Sequence, residues 1–211
     1  GHNAASGVSS GESIAIGYDA KSDRNGIVIG HNAGSLSIGI NNTIIGNGAG
    51  VSLTSGVTGS VFLGVGAGSF QSSGRRTICI GQYSNCSANC DSAIAIGNAS
   101  RTANDSIVIG SAAGTTTMGI SNIVVGVESG LALASGATYN VIIGSESGQA
   151  ITTGDYNISI GAFPNFSSTS QNGIAIGRSA MSSTESISIG SSANATNNNT
   201  MTTCAEAKLR R

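Results

Sequence analysis

The chain has 211 residues and a formal net charge of −1; 32 residues are glycine, one is proline, none is tryptophan and only 9% are charged. This near-neutral balance excludes the strong positive field that draws nucleic acid or an anionic membrane surface, and no apolar run approaches the roughly 18 residues of a membrane-spanning helix. Strong helix formers are scarce and turn residues abundant, so we expect an all-β protein of short strands and many corners.

The first predicted elements are two Ile-x-Ile-Gly tetrads, at residues 14–17 and 27–30, and similar tetrads continue to residue 190. Successive tetrad glycines are 13, 16, 18, 17 and 16 residues apart; the same five spacings recur in order, and a further 13 follows. This order repeats every 80 residues, which predicts super-repeats at 13–92 and 93–172 and a partial one at 173–195. The tetrad glycines are Gly17, Gly30, Gly46, Gly64, Gly81, Gly97, Gly110, Gly126, Gly144, Gly161, Gly177 and Gly190.

Each tetrad is predicted to form a short strand. The residue one before the glycine is Ile, Leu or Val in all twelve tetrads, and the residue three before it is Ile or Val in all but one, where Thr43 stands. Alternation of β-branched residues is typical of a strand with one face in a core. We therefore expect these two aliphatic columns to stack into one core, in a single solenoid domain of about 12 coils over residues 1–195.

Corners separate the strands. Three residues after each tetrad glycine stands Ala, Ser or Pro, and the next residue is Gly or Asn in nine of the twelve coils. Because Gly and Asn tolerate positive φ, this column predicts a tight turn of the chain. Strand, corner, short strand and corner together make one turn of a parallel solenoid.

The middle residue of each tetrad is expected to point away from the core and to meet water. Ten of the twelve are nevertheless apolar, and strands that are apolar on both faces are covered on both faces. Without helices to supply that cover, we expect another copy of the chain to do so, in an obligate homo-oligomer. The interface residues predicted from this column are Val28, Ile44, Phe62, Val108, Val124 and Ile142.

Aromatic and charged residues in the corners are candidates for ligand binding. Exposed rings beside Asn and Asp suit a carbohydrate, because the rings stack on its CH groups while the polar residues bond its hydroxyls. The alternative for each residue is packing against a neighbouring coil or subunit, which would fix the register. The candidates are Tyr83, Phe163, Phe166, Tyr139, Tyr156, Arg75, Arg76 and Asp155.

No catalytic residue is expected. Glu128 and Glu146 stand in the same corner column of adjacent coils, where strand spacing predicts a separation of about 5 Å, near that of retaining glycosidase carboxylates. The other super-repeat has Gly48 and Gly66 in these positions. We therefore interpret both glutamates as solvated corner residues.

No metal and no cofactor are expected either. A zinc site needs converging Cys or His ligands, and the only histidines, His2 and His31, are far in sequence from the cysteines. Four cysteines allow three disulfide pairings, and their spacing does not choose among them. They are Cys79, Cys86, Cys90 and Cys204.

Eight Asn-x-Ser/Thr sequons indicate a surface location only weakly, because Asn, Ser and Thr are abundant in this chain. They begin at Asn41, Asn85, Asn98, Asn104, Asn157, Asn165, Asn194 and Asn198.

Both ends of the chain depart from the series. Gly1 lies 16 residues before Gly17, so we interpret it as a tetrad glycine and expect the chain to be a fragment of a longer fibre. After Gly190 the pattern fails, and residues 196–211 are expected to form a last strand around residues 200–204 followed by a cap or the start of a neck.

The short coils resemble a known family of repeats. The segments "SIAIGYDAKSDRNGIVIG" and "SAIAIGNASRTANDSIVIG" resemble the head repeats of YadA-like trimeric autotransporter adhesins. Longer coils such as "NNTIIGNGAGVSLTSGVTGSVFLG" are similar to repeats in fibre and attachment proteins of phages and large DNA viruses. The resemblance implies a left-handed parallel β-roll, or β-helix, that assembles as a homotrimer.

The resemblance also implies a function in attachment to a host. Because the coil length cycles rather than staying constant, we expect a virus or phage fibre on the virion surface that binds a host cell-surface polysaccharide or glycoprotein, with no direct membrane insertion. The alternatives are the head of a bacterial trimeric adhesin, located at the bacterial cell surface, and a purely structural spacer or capsid-associated element.

Overall fold

The structure is a computed structural model that describes residues 2, 4, 11–22, 24–35, 39–54, 56–115 and 118–203. All regular elements in those residues are β-strands, which confirms the expected all-β class. None of the described residues belongs to a helix that could cross a membrane. The chain divides into two compact units, Gly1–Ala112 (unit 1) and Ala113–Arg211 (unit 2). The expectation of a single domain over residues 1–195 stays a prediction.

The described part of unit 1 contains seven three-residue strands, one from each tetrad, and two shorter ones. They are β1 (Ile14–Ile16), β2 (Ile27–Ile29), β3 (Thr43–Ile45), β4 (Val61–Leu63), β5 (Ile78–Ile80), β6 (Asn85–Cys86), β7 (Ile94–Ile96), β8 (Arg101–Thr102) and β9 (Ile107–Ile109). The seven tetrad strands follow one another in a parallel sheet. The short strands β6 and β8 pair in a sheet of their own.

Unit 2 repeats this plan. Its strands are β10 (Ile123–Val125), β11 (Val141–Ile143), β12 (Ile158–Ile160), β13 (Asn165–Phe166), β14 (Ile174–Ile176), β15 (Met181–Ser182), β16 (Ile187–Ile189), β17 (Asn194–Ala195) and β18 (Met201–Thr203). The three-residue strands form a parallel sheet, and β13, β15 and β17 form a second, shorter one.

Within each unit, successive tetrad strands pair in register. Ala15 lies opposite Val28, which lies opposite Ile44, and in unit 2 Val124 lies opposite Ile142. Equivalent positions therefore stack on one another along the sheet. This register confirms the parallel β-solenoid predicted from the tetrad spacing.

Glycine recurs at the fourth tetrad position because adjacent coils approach closely there. Gly30 and Gly46 have φ of +144° and +147°, values that residues with a Cβ rarely adopt. A Cβ on Gly30 would also collide with the carbonyl oxygen of Gly46 in the next coil.

The middle residue of the tetrad fills the core of each unit, and the two flanking columns do not. The six residues predicted to form the interface between copies are all fully buried inside the single chain. They are Val28, Ile44, Phe62 and Val108 in unit 1 and Val124 and Ile142 in unit 2. Both predictions, of these interface residues and of a core built from the flanking columns, are therefore wrong.

The width of the coil explains this reversal. A three-residue strand turns one side chain to one face and two to the other. The interior also holds the small residue three positions after each tetrad glycine, such as the fully buried Ala49 and Ser84, which leaves room for one further column. Longer coils have wider interiors, where Leu53 and Val57 are buried as well.

The first and third residues of the tetrad strands form an apolar band on the outer face of the sheet, which we call the aliphatic stripe. In unit 1, Ile14 and Ile16 are 48% and 55% exposed, and in unit 2 Ile123 and Ile143 are 40% and 38% exposed. The exposed apolar face of the sheet is therefore this stripe, and not the middle column from which the interface was predicted.

The corner column of Gly and Asn adopts two conformations. Gly34 and Gly50 have φ of +54° and +61°, as predicted. Asn85 and Asn194 instead begin the short strands β6 and β17, so the chain is extended there.

The C-terminal strand was predicted near residues 200–204, and β18 confirms it by pairing with β16. The remainder of the predicted cap or neck, at residues 204–211, lies outside the described residues, as does Gly1.

Candidate ligand-binding corners

Two corner positions with positive φ flank the tetrad strands throughout both units. The leading corner lies two residues before a tetrad strand, and the trailing corner lies two residues after a tetrad glycine. Residues other than glycine adopt such φ values infrequently, yet these corners hold Asn, Asp, Ser, Ala, Arg, Glu, Tyr and Phe. The backbone therefore accepts many side chains at these corners.

Three predicted ligand-binding residues come together in unit 2, in an arrangement we call the tyrosine cluster. Tyr139 and Tyr156 occupy successive leading corners, with ring centroids 5.0 Å apart and planes inclined by 3°. The two side chains are 49% and 57% exposed. Beside them, Asp155 Oδ1 accepts hydrogen bonds from the backbone N–H and the hydroxyl of Thr138, both at 2.7 Å.

In unit 1 Arg76 occupies a leading corner, and it and the preceding Arg75 border an open depression of about 350 Å³, which we call the arginine groove. The backbone N–H of Arg75 donates to Asp91 Oδ1 at 2.6 Å. The residues that line the groove are Ile40, Asn41, Thr58, Gly59, Arg75 and Arg76.

The remaining predicted aromatic residues do not join either cluster. Tyr83 and Phe163 occupy trailing corners of unit 1 and unit 2 and are 54% and 50% exposed. The ring of Tyr83 lies close to Gly66 in the preceding coil. Phe166 is only 5% exposed, so its prediction as a ligand contact is wrong. It lies in β13, which turns this side chain towards the interior of the coil.

Glu128 and Glu146 occupy successive trailing corners of unit 2. The first is exposed and the second half-buried. This placement fits their interpretation as solvated corner residues.

The structure selects one disulfide among the possible pairings, Cys86–Cys90, with the Cα atoms 6.0 Å apart. Cys79 is a free and buried thiol. Burial raises the pKa of Cys79 to about 12, although a hydrogen bond with Ser84 acts in the opposite direction. Among the described residues, no three His, Cys, Asp or Glu side chains are grouped as a metal site requires.

Sequence reasoning missed a second aromatic stack in unit 1. Tyr18 stacks on His2 and on His31, with ring centroids 5.4 and 5.3 Å apart. All three residues follow directly after Gly1 or a tetrad glycine, in successive coils. Reading that column along the chain would have revealed the stack.

Among the sequon asparagines whose side chains the structure describes, two are inaccessible. Asn85 and Asn157 are fully buried, and their side-chain amides donate to protein oxygens, Asn157 Nδ2 to Ser170 O at 2.6 Å and Asn85 Nδ2 to Tyr83 O at 3.2 Å. Neither is available for glycosylation in the folded protein.

Comparison with protein-family models and with curated proteins found no match to this chain.

Proposed function

We propose that this chain is a non-enzymatic fibre domain of a virus or phage, a left-handed homotrimer that attaches the particle to glycan on the host cell surface. The observation that carries the proposal is the division of each coil's surface into two kinds. The outer face of the sheet presents the aliphatic stripe, and the corners present aromatic and charged residues. One surface suits assembly and the other suits recognition.

The aliphatic stripe supports assembly with sister chains. Its residues are half-buried or exposed at the same two positions of successive coils, so a second copy of the chain offers the same pattern at the same strand spacing. Soluble proteins rarely leave a large contiguous apolar surface in water. Three chains are proposed because the short coils resemble the heads of trimeric adhesins.

The corners and the disulfide support an exposed role. Tyr139 and Tyr156 present stacked rings beside Asp155, a combination suited to a sugar's CH groups and hydroxyls. The Cys86–Cys90 disulfide is of a kind that persists in oxidising surroundings such as virion or cell surfaces.

A double substitution, Tyr139→Ala with Tyr156→Ala, tests attachment. We expect binding of the purified oligomer to host cell-wall material to fall at least about tenfold, because stacking of a sugar on an exposed aromatic ring contributes on the order of 1 kcal/mol or more per ring. The thermal unfolding temperature should change little, since both rings are about half exposed. A glycan array with the unmodified oligomer would identify the sugar.

A structural spacer that presents another domain is the second candidate. It is favoured by the contacts of the aromatic residues with neighbouring coils, Tyr139 on Tyr156 and Tyr83 close to Gly66. If the double alanine variant loses thermal stability and keeps its cell-wall binding, the tyrosines fix register and their role in attachment is contradicted.

A further inference from the structure

The leading corners of the two super-repeats can be compared position by position, because residues 80 apart have the same place in a coil. Their backbones agree. The N–H of Arg76 donates to Thr58 O at 3.0 Å, and the N–H of Tyr156 donates to Thr138 O at 3.1 Å. Arg76 and Tyr156 have φ of +56° and +57°.

Side chains fill this corner in unit 2 and leave it open in unit 1. In unit 2, Tyr139 stacks on Tyr156, and the Thr138 hydroxyl is bonded to Asp155. In unit 1 the position of Tyr139 is taken by Gly59, where an added Cβ would meet no atom within 4 Å. Arg75 stands where unit 2 has Asp155, whose carboxylate accepts the hydrogen bond from the Thr138 hydroxyl. The arginine groove is the result.

The electrostatic character of the groove is positive. Arg75 and Arg76 are both exposed, and no described residue forms an ion pair or a side-chain hydrogen bond with either guanidinium. Asp91 is the acidic neighbour, and its Oδ1 accepts the backbone N–H of Arg75.

We infer that the arginine groove binds an acidic saccharide, one that carries carboxylate or sulfate groups; this rests on the proposed attachment function and narrows its ligand class. Guanidinium groups bind such anions through paired N–H donors. Ile40, which is 42% exposed, offers apolar surface to the CH face of a sugar ring. The Asn41 amide and the Thr58 hydroxyl lie in the same lining and suit the ring hydroxyls.

The test measures binding of the full chain to three labelled oligosaccharides of equal length: a uronate oligomer, a sulfated glucan and an uncharged glucan. Two variants alter the groove. Arg75→Gln with Arg76→Gln removes the charges, and Gly59→Tyr fills the groove with the residue that the other super-repeat has at the same φ. Arg178→Gln is the control, because it removes an exposed arginine from unit 2.

We expect the unmodified protein to bind at least one acidic oligomer, more weakly as salt rises, and the uncharged one at least about tenfold less well. Both groove variants should lose about tenfold or more of the acidic binding, and Arg178→Gln less than about twofold. The uronate and sulfate arms show which anion is preferred. Circular dichroism should show that each variant keeps the β-sheet spectrum.

Three results would overturn the groove assignment: equal binding of charged and uncharged oligomers, unchanged affinity in Gly59→Tyr, or an equal loss in Arg178→Gln. Equally tight, arginine-dependent binding of a single-stranded oligonucleotide would show general capture of polyanions and overturn it too. If the chain binds host cell walls but no acidic oligomer, the groove assignment fails and the attachment function stands. If it binds neither, both fail.

Discussion

Cys79 shows how one position of the coil controls the chemistry of a side chain. It is the middle residue of β5, between Phe62 and Ala95 of the adjacent coils. Because the side chain is fully buried in the core, water cannot stabilise a thiolate, and the pKa of Cys79 rises to about 12. The thiol therefore behaves as a small apolar residue that is protected from alkylation.

Stability should fall in alkaline solution because of Cys79. The thiol's ordinary pKa is 9.0 and its pKa in the folded chain is about 12. Well below pH 9 the thiol is therefore protonated in both the folded and the unfolded chain, and its contribution to stability is complete. Between pH 9 and 12 only the unfolded chain ionises, which lowers the free energy of unfolding by about 1.4 kcal/mol per pH unit. Between pH 8 and pH 10.5, measured by urea unfolding, the free energy of unfolding of the unmodified protein should fall by about 2 kcal/mol more than that of Cys79→Ser.

Serine is the matched substitution because Ser159 stands at this position in the other super-repeat. Identical pH dependence of the two proteins would contradict the prediction. Rapid alkylation of Cys79 in the folded protein at pH 8.5, mapped by mass spectrometry, would contradict it as well.

At the scale of the elements, buried asparagines join β10, β11 and β12 of unit 2, each just before its strand begins. Asn122 Oδ1 accepts from the N–H of Asn140 at 2.9 Å and from its Nδ2 at 3.1 Å. Asn140 Oδ1 accepts in the same way from Asn157, and Asn140 Nδ2 donates to Gly154 O at 2.9 Å. This ladder satisfies polar groups where strands and corners meet.

Asn140→Ala should lower the free energy of unfolding by about 2 to 3 kcal/mol, because it leaves buried donors and a carbonyl without partners. Asn140→Ser should cost less, since the other super-repeat has Ser60 here and its hydroxyl accepts the N–H of Thr77. Chemical denaturation of both variants measures the difference. Asn98→Ala, at an exposed amide, is the control and should stay within about 0.5 kcal/mol. Equal losses in all three variants would show that the ladder has no special role.

At the scale of the whole molecule, the aliphatic stripe is the surface expected to govern assembly. Ile and Val in its two columns remain half-buried or exposed in the single chain, in unit 1 and in unit 2 alike. Covering such residues contributes roughly 25 cal/mol for each Å² of apolar surface removed from water. The gain grows with the number of coils, so long stacks favour association.

A charged pair in the stripe should separate the chains. Ile123→Glu with Ile143→Glu places carboxylates on adjacent strands where sister chains are proposed to pack, and burying them without partners is costly. We expect a trimer for the unmodified protein and a monomer for the variant by light scattering. Leu131→Glu, at a residue that is 42% exposed outside the stripe, should remain trimeric. A folded, soluble monomer of the unmodified chain would contradict the proposed assembly.

The sequence was sufficient to locate the strands and to predict a parallel solenoid, because both follow from local requirements. Alternating β-branched residues predict each tetrad strand. Because one tetrad recurs in every coil, equivalent positions such as Ala15 and Val28 lie in register. It also located most corner residues of the candidate site. The stacking of Tyr139 on Tyr156 and the opening beside Gly59 were not predictable in this way, since each depends on what the adjacent coil presents.

The amino-acid sequence by itself therefore determined the repeating unit, the class of fold and the places where side chains leave the coil. Only the tertiary structure decided which face of each strand is inside, that Cys86 pairs with Cys90, and that Phe166 is buried while Arg75 and Arg76 border a groove. The physical reason is that both faces of the tetrad are apolar, so alternation alone cannot orient it. Which face points inward depends on the width of the closed coil, and that width is determined jointly by the strand, the corners and the short strand of the coil.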